Sequence, residues 1–170
     1  MQFETNAQGG WVIPAHTTIP AHTTIPAWSE IGRRCTLGAY CTLSDRCSLG
    51  DRCSLGYACR LGDDCTLGDD CRLGDRCRLG DRCRLGDFCK LGDFCTLGAN
   101  AQWLGVTVES WLTLANVDGS GRPIKIIKHA GGVRVETGCF QGTLEEFCAR
   151  ASSEGKDRYV RVIPAVAAAM

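Results

Sequence analysis

The side chains best able to do chemistry in this sequence are its cysteines and histidines. The chain has thirteen cysteines but only three histidines among 170 residues. Closely spaced thiols bind zinc, pair as disulfides, or act as nucleophiles once they are ionised. Eleven of the cysteines recur at every sixth residue, so the repeat that carries them decides which of these roles is open.

An aliphatic residue follows each of these eleven cysteines by two positions, from Leu37 to Leu97, and Gly and Asp usually come next. Upstream, the two positions are continued by Ile13, Ile19, Ile25 and Ile31, and by Thr17, Thr23 and Ser29. Residues 13–102 are therefore fifteen uninterrupted six-residue repeats. Because the spacing between the aliphatic and the small residue is even, both face the same side of an extended chain, and we expect both to point inward.

This repeat resembles that of the hexapeptide-repeat family, in which three repeats make one triangular coil of a left-handed parallel β-helix. The resemblance implies an all-β left-handed parallel β-helix of about five coils over residues 13–102. Residues 1–12 are then an N-terminal cap, and residues 103–170 form a small α+β C-terminal module.

In such a coil, residues eighteen apart lie above one another, so the cysteines fall into three internal columns. Cysteine packs as a small hydrophobe, stacked neighbours need strained geometry to form disulfides, and inward columns do not converge on one ion. We therefore expect free structural thiols, no metal, no cofactor and a reducing cytoplasm. The predicted structural core is Cys35, Cys53, Cys71 and Cys89, then Cys41, Cys59, Cys77 and Cys95, then Cys47, Cys65 and Cys83, with Leu49, Leu67 and Leu85.

The two residues after each aliphatic predict the corner of the coil. We expect the glycine to adopt the positive φ that a tight corner needs. The next residue is commonly Asp, and Arg follows it in Asp45-Arg46 and Asp75-Arg76. This alternation indicates a solvated surface that neutralises itself rather than a calcium site.

The resemblance also implies an enzymatic alternative. Many hexapeptide-repeat proteins are trimeric acyltransferases that bind acyl-coenzyme A between subunits and use a histidine as general base. The weak candidates for that base are His16 and His22, which occupy the same outward repeat position on different faces. The carbonic anhydrases of the family hold zinc with three histidines, but residues 23–128 contain none, and His129 precedes a predicted hairpin turn. We assign no catalytic residue.

Arginines gather on the outward positions of the later coils and form a candidate belt for a phosphate or a carboxylate. The neighbouring aspartates favour a different interpretation, a salt-laced surface that keeps the solenoid soluble. The belt consists of Arg72, Arg76, Arg78, Arg82 and Arg84, and Arg60 clusters with them. Three aromatic residues near the far end, Phe88, Phe94 and Trp103, are expected to be covered by the C-terminal module or by another subunit.

The C-terminal module has strand patterns at residues 106–117, 123–128 and 133–136, the first two separated by the turn signal at residues 118–121. Thr143 and Glu146 form a capping-box pattern that opens a helix. Gly155 is expected to end it, and a second helix from about Asp157 is expected to turn Tyr159, Val162 and Val166 inward.

The stretch 138–147 is similar to short C-terminal modules of unknown function on repeat proteins encoded by phages and prophages. That resemblance implies a mobile-element origin and no reaction. Cys139 lies near the predicted helix start, where a thiol is accessible and activated. No histidine or acid is paired with it in the pattern, so a structural thiol is the favoured interpretation.

Nineteen basic residues balance nineteen acidic ones, which argues against nucleic acid or anionic lipid as a partner. No run of about 18 apolar residues predicts a membrane span, and the first residues lack the pattern of a secretion signal. The sequence therefore predicts a non-enzymatic structural or binding protein of the cytoplasm with a protein partner, and the resemblance favours a homotrimer. An acyltransferase is the alternative, and a phosphate or nucleic-acid binder is the third hypothesis.

Overall fold

The structure is a computed structural model that describes residues 2–114, 117, 123–137 and 140–170. The chain divides into two compact units, Met1–Val106 and Thr107–Met170. Within the described residues, no helix has the length and apolar character needed to cross a bilayer.

Most of the chain consists of very short strands. They are β1 Glu4–Thr5, β2 Trp11–Ile13, β3 Thr18–Ile19, β4 Thr24–Ile25, β5 Glu30–Ile31, β6 Thr36–Leu37, β7 Thr42–Leu43, β8 Ser48–Leu49, β9 Ser54–Leu55, β10 Arg60–Leu61, β11 Thr66–Leu67, β12 Arg72–Leu73, β13 Arg78–Leu79, β14 Arg84–Leu85, β15 Lys90–Leu91, β16 Thr96–Leu97, β17 Gln102–Trp103, β18 Val106–Thr107, β19 Ser110–Leu114, β20 Ile124–His129, β21 Gly132–Thr137 and β22 Phe140–Thr143. Two helices follow, α1 Leu144–Ser153 and α2 Asp157–Ala169.

The first unit is a β-solenoid of about five turns, as the repeat predicts. Its strands stack in three sheets, with the order β1-β2-β5-β8-β11-β14-β17-β18 in sheet 1, β3-β6-β9-β12-β15 in sheet 2 and β4-β7-β10-β13-β16 in sheet 3. From β2 to β17 the paired strands run parallel with an offset of eighteen residues, as in the pairing of Leu49 with Leu67. At the N-terminal edge, β1 pairs antiparallel with β2.

The inward positions of the repeat build the core of the solenoid. Leu67, at the middle of its column, is 1% exposed, and the eleven cysteines of the repeat are all buried. One aliphatic and one small residue per side fill a narrow interior, because a larger residue at the cysteine position would collide with the turns on either side. Removal of these columns from water is the main stabilising contribution within this unit.

The corners correct one sequence prediction, because the repeat glycines do not have positive φ. A Cβ placed on Gly68 would lie 2.7 Å from the amide nitrogen of Asp51, in the main chain of the turn before it. Glycine is therefore needed for the close approach of successive turns. The positive φ falls two residues later, on the residue before each cysteine position, for example 59° at Tyr40 and 55° at Ala58.

These left-handed corner residues are held by hydrogen bonds between turns. The amide of Tyr40 donates to the carbonyl of Tyr57 at 2.8 Å, and the same pairing recurs along all three corners. The aspartates of the corners have a second role, because their carboxylates accept from the main chain one turn later. The amide of Asp69, for example, donates to Oδ1 of Asp51 at 3.0 Å. Because every turn depends on its neighbours, the strain of a positive φ, on the order of 1 kcal/mol per residue, is tolerated.

The second unit contains a four-stranded antiparallel sheet, β19-β20-β21-β22, and both helices. The capping box is confirmed, since Thr143 Oγ1 accepts from the amide of Glu146 while Glu146 accepts from the amide of Thr143. Helix α1 ends at Ser153, and α2 begins at Asp157 as predicted. The predicted turn at residues 118–121 lies outside the described residues.

The inward face of α2 differs from the prediction. Tyr159 is buried as expected, but Ile163 and Ala167 are the other buried residues, whereas Val162 and Val166 are only half-buried. The reason is periodicity, because positions 159, 163 and 167 follow the i, i+4, i+8 stripe of a helix. The buried residues pack with the sheet in one core: Ile124, Ile126, Val135, Phe147, Ala151, Tyr159, Ile163 and Ala167.

Candidate binding surface

The cysteine columns form a closed interior. Each of the eleven thiols donates to the carbonyl of the glycine-position residue in the preceding turn at 3.2–3.4 Å, as Cys53 does to Gly32. All eleven are free thiols. Burial raises the pKa of Cys35 and of Cys41, and hydrogen bonding with Cys47 raises the pKa of Cys65. Hydrogen bonding between thiols lowers the pKa of others, including Cys59, whose hydrogen bond with Cys77 lowers it to about 7. The burial of all eleven makes these thiols packing groups.

The same columns do not gather ligands for an ion. Within residues 2–114, 117, 123–137 and 140–170, no group of three or more His, Cys, Asp or Glu side chains is arranged to hold a metal. Outside the solenoid, Cys148 is half-buried and burial raises its pKa. The hypothesis of a nucleophile at Cys139 falls outside the described residues.

The candidate histidines lie on different corners of the solenoid. Here the first corner joins sheets 1 and 2, the second joins sheets 2 and 3, and the third joins sheets 3 and 1. His16 lies on the first corner, and His22 lies on the second, where its ring stacks on Tyr40 with 5.0 Å between centroids. His129 has a local partner that the sequence did not suggest, because its Nδ1 accepts from the amide of Gly131 at 3.1 Å. The structure therefore does not bring His16 and His22 together.

The second corner carries an exposed row of aromatic rings. Tyr40 meets Tyr57 edge-on at 5.5 Å between centroids, and the two are 51% and 37% exposed. The guanidinium of Arg76 lies 5.7 Å from the Tyr57 centroid and 5.9 Å from that of Phe94. His22, Tyr40, Tyr57, Arg76 and Phe94 thus form a continuous row along all five turns, which we call the aromatic row.

A groove runs beside the aromatic row, where the second corner meets sheet 3. Its volume is about 370 Å³. Arg60 and Arg78 project from paired strands of sheet 3 and are adjacent in register. The groove, called the Tyr40–Arg78 groove below, is lined by Tyr40, Thr42, Ala58, Arg60, Arg76 and Arg78. It combines three guanidinium groups with an aromatic wall.

On the other two corners, several arginines pair with aspartates. On the third corner, Asp64 binds Arg82 at 2.9 Å and lies 3.9 Å from Arg46, and its hydrogen bond with Arg82 lowers the Asp64 pKa. On the first corner, Arg52 lies 3.6 Å from Asp70, in a groove of about 250 Å³. That groove is lined by equal numbers of arginines and aspartates: Arg33, Arg34, Arg52, Asp51, Asp69 and Asp70.

The Tyr40–Arg78 groove is different in this respect. No carboxylate among the described residues forms an ion pair with Arg60, Arg76 or Arg78. The corner carries two aspartates, Asp75 and Asp93, and Oδ1 of Asp75 accepts from the amide of Asp93 at 2.8 Å. Three guanidinium groups consequently face solvent beside half-exposed rings.

The arginine belt predicted from the sequence is spread over the solenoid. Only two of its members, Arg76 and Arg78, line the groove. Arg72 projects from sheet 2, Arg84 projects from sheet 1, and Arg82 is held by Asp64. Arg60, which the sequence prediction grouped with the belt, also lines the groove, whereas Tyr40 and Tyr57 were missed as neighbours of these arginines.

The aromatic residues near the end of the repeat also separate. Phe88 and Phe94 are corner residues that are 60% and 80% exposed in the single chain. Trp103 takes the inward aliphatic position of the repeat and is fully buried.

Comparisons of the chain with family models, with curated proteins and with solved structures find no match. The function must therefore be argued from these surfaces.

Proposed function

We propose that this protein is a non-enzymatic scaffold whose rigid solenoid displays a binding surface to a partner. In this proposal the solenoid is a left-handed hexapeptide-repeat β-helix, it assembles as a homotrimer in a reducing cytoplasm, and the C-terminal unit caps it or mediates assembly. A phage or prophage origin accords with the similarity of residues 138–147 to modules of such proteins.

The observation that carries the proposal is the continuity of the bonding between turns. Strands, corner amides, aspartate carboxylates and cysteine thiols each link one turn to the next, for example Arg60 to Cys41 and Ala58 to Asp75. A solenoid bonded in this way has little freedom to close around a substrate, but it holds outward side chains in fixed columns. Fixed columns are suited to recognition of an extended partner.

Light scattering of the full chain with a reducing agent tests the assembly. We expect a mass of three times 18.3 kDa. A monomer at micromolar concentration would contradict the trimer. The same measurement on residues 1–106 assigns the contacts, because a trimer that persists places them on the solenoid and a monomer places them in the C-terminal unit.

Isothermal titration with coenzyme A separates the scaffold from an acyltransferase. A scaffold produces no saturable heat. Saturable binding that a His22→Ala variant abolishes, together with acetyl transfer to an amine, would overturn the non-enzymatic proposal. His16→Ala is the matched control, because His16 has the same repeat position on a different corner.

A further inference from the structure

We infer that the Tyr40–Arg78 groove and the aromatic row bind single-stranded nucleic acid. This inference rests on the proposed scaffold, because it names the partner that the rigid surface displays. Flat rings and unpaired cations occur together on the second corner, along the direction in which the turns stack.

The charge of the groove indicates an anionic partner. Arg60, Arg76 and Arg78 face solvent without a carboxylate partner, whereas Arg46, Arg52 and Arg82 on the other corners each lie within 4 Å of an aspartate. The neutral total of the chain hides this difference, because the groove on the first corner is lined by three arginines and three aspartates, whereas the Tyr40–Arg78 groove is lined by three arginines and no carboxylate. Charge complementarity therefore favours an anion at this groove.

The rings narrow the choice of anion. Tyr40 and Tyr57 are exposed aromatics on successive turns, and Phe94 is exposed two turns beyond Tyr57, with Arg76 between them. Burying such rings is favourable when a flat π-system stacks on them. Single-stranded nucleic acid carries a phosphate and a π-face in every unit, so it matches a row of rings beside a row of guanidiniums.

The geometry also favours a linear ligand over a compact one. The row extends over all five turns, and stacked strands are about 4.8 Å apart, so its ends are on the order of 20 Å from each other. A mononucleotide would use one part of this row. A strand of several nucleotides would use all of it, with phosphates on Arg60 and Arg78 and bases on the tyrosines. An acidic peptide lacks the π-face in every unit, and so does an acidic polysaccharide.

Fluorescence anisotropy with the full chain and a labelled thymidine oligonucleotide of about 15 nucleotides tests the inference. We expect micromolar binding at low salt. Each phosphate contact with a single strand contributes about −0.7 to the slope of log K against log salt concentration. Three contacts therefore predict a slope near −2. Absence of binding at low salt, or a slope near zero, would overturn the inference.

Two double variants with equal charge change locate the site. The groove variant, Arg60→Thr/Arg78→Thr, introduces threonine, which the same column already has at Thr42 and Thr96. The control variant, Arg72→Ser/Arg84→Thr, introduces the residues that those two columns have at Ser54 and Thr66. The groove variant is expected to weaken binding at least tenfold and to bring the slope to about −0.7. The control is expected to stay within about twofold of the parent. Equal losses in both would mean that charge alone attracts the oligonucleotide and would overturn the assignment.

A third variant tests the rings. Tyr40→Ala introduces the residue found at Ala58 on the same corner. It is expected to weaken binding about fivefold or more with the salt slope unchanged, because stacking does not release counterions. Competition by polyglutamate or polyglucuronate as strong as that by oligothymidylate would overturn the role of the rings. If the groove variant changes the solution mass instead of oligonucleotide affinity, the surface is a contact between copies of the chain.

The two proposals fail in different ways. Saturable coenzyme A binding with acetyl transfer would remove the scaffold proposal. Absence of oligonucleotide binding with no coenzyme A binding would remove only the nucleic-acid inference and leave the scaffold in place.

Discussion

The two units of this chain differ in where they place charged side chains and in why they need glycine. In the solenoid, the inward columns are aliphatic residues and buried thiols, and charged side chains stay on the outside. In the C-terminal unit, Lys125 and Glu136 form an ion pair at 3.0 Å while both side chains are less than a tenth exposed. In the solenoid, main-chain polar groups hydrogen-bond to equivalent groups of the neighbouring turn. In the C-terminal unit, a charged pair instead lies across the neighbouring strands β20 and β21.

The units also use glycine for different reasons. Gly68 lies where a Cβ would meet the main chain of the preceding turn, whereas Gly155, between α1 and α2, has a φ of 69° with open space around it. The solenoid needs glycine because it has no side chain, whereas the connection between α1 and α2 needs it because it adopts a positive φ. The following predictions test whether these differences govern stability.

The largest effect is expected for a charge in the solenoid core. Leu67→Asp removes a side chain that is 1% exposed and pairs in register with Leu49 and Leu85. The cost is more than about 4 kcal/mol, because lost apolar burial and a buried carboxylate add together. We expect insoluble protein or loss of cooperative thermal unfolding. Thr66→Asp, on the outward side of the same strand, is the control and should change little. Unchanged melting of Leu67→Asp would contradict the inward column.

The next effect is expected for the buried ion pair of the C-terminal unit. Lys125→Met leaves Glu136 as an uncompensated buried carboxylate, which costs about 3–5 kcal/mol. The double variant Lys125→Met/Glu136→Leu removes both charges and should recover to within about 1 kcal/mol of the parent. Urea denaturation followed by circular dichroism measures both. Equal destabilisation in single and double variants would mean that the side chains contribute through packing and not through charge.

The solenoid could be predicted largely from the sequence, because each residue contacts equivalents eighteen positions away. That rule was enough to predict the five turns, the buried Leu67 and the thiol columns. It did not predict which corner residue has positive φ, since Tyr40, Asp64 and Phe94 have no shared preference for that region. Only the stacked backbone shows that glycine is needed one position after the aliphatic and the left-handed residue two positions later.

The groove and the ion pair were not predicted, the groove because its outward positions were not aligned at intervals of eighteen residues. That alignment places Arg60 and Arg78 in one column and Tyr40, Arg76 and Phe94 in another. Only Tyr57 lies one position away from the second column. Nothing in the spacing of Lys125 and Glu136 indicates burial, because the antiparallel register of β20 and β21 brings them together.

Three glycine-related variants sharpen the contrast between size and conformation. Gly68→Ala should cost about 2 kcal/mol, because the new Cβ meets main-chain atoms that cannot move without shifting a turn. Gly155→Ala should cost about 1 kcal/mol from the positive φ alone. Ala58→Gly should be neutral or stabilising by about 0.5 kcal/mol, since relief of the strain at φ 55° exceeds the entropy cost of glycine. Thermal unfolding measures all three, and a destabilised Ala58→Gly variant would contradict strain at the corners.

The smallest effects are expected for the exposed ion pairs, and their dependence on pH distinguishes them from stabilisation by packing. Lys156 and Arg150 lower the pKa of Glu154 to about 2, and Arg82 lowers that of Asp64. A carboxyl whose pKa is lower in the folded than in the unfolded state stabilises the fold above its unfolded pKa. That contribution is lost as pH falls, for Glu154 between about 4.5 and 2.

Glu154→Gln in the C-terminal unit and Asp64→Asn in the solenoid remove these contributions. Each variant should melt slightly below the parent at pH 7, and in thermal melts the gap should narrow as the pH falls below about 4.5 and, for Glu154, close near pH 2. Salt should narrow the gap at neutral pH, because both carboxylates are solvent-exposed and screened. The gap should have a similar size in both units, because an exposed pair depends on solvent more than on the fold beneath it. A gap that persists at low pH would show that the side chains stabilise by packing, and a much larger gap in the solenoid would show that Asp64 links its turns cooperatively.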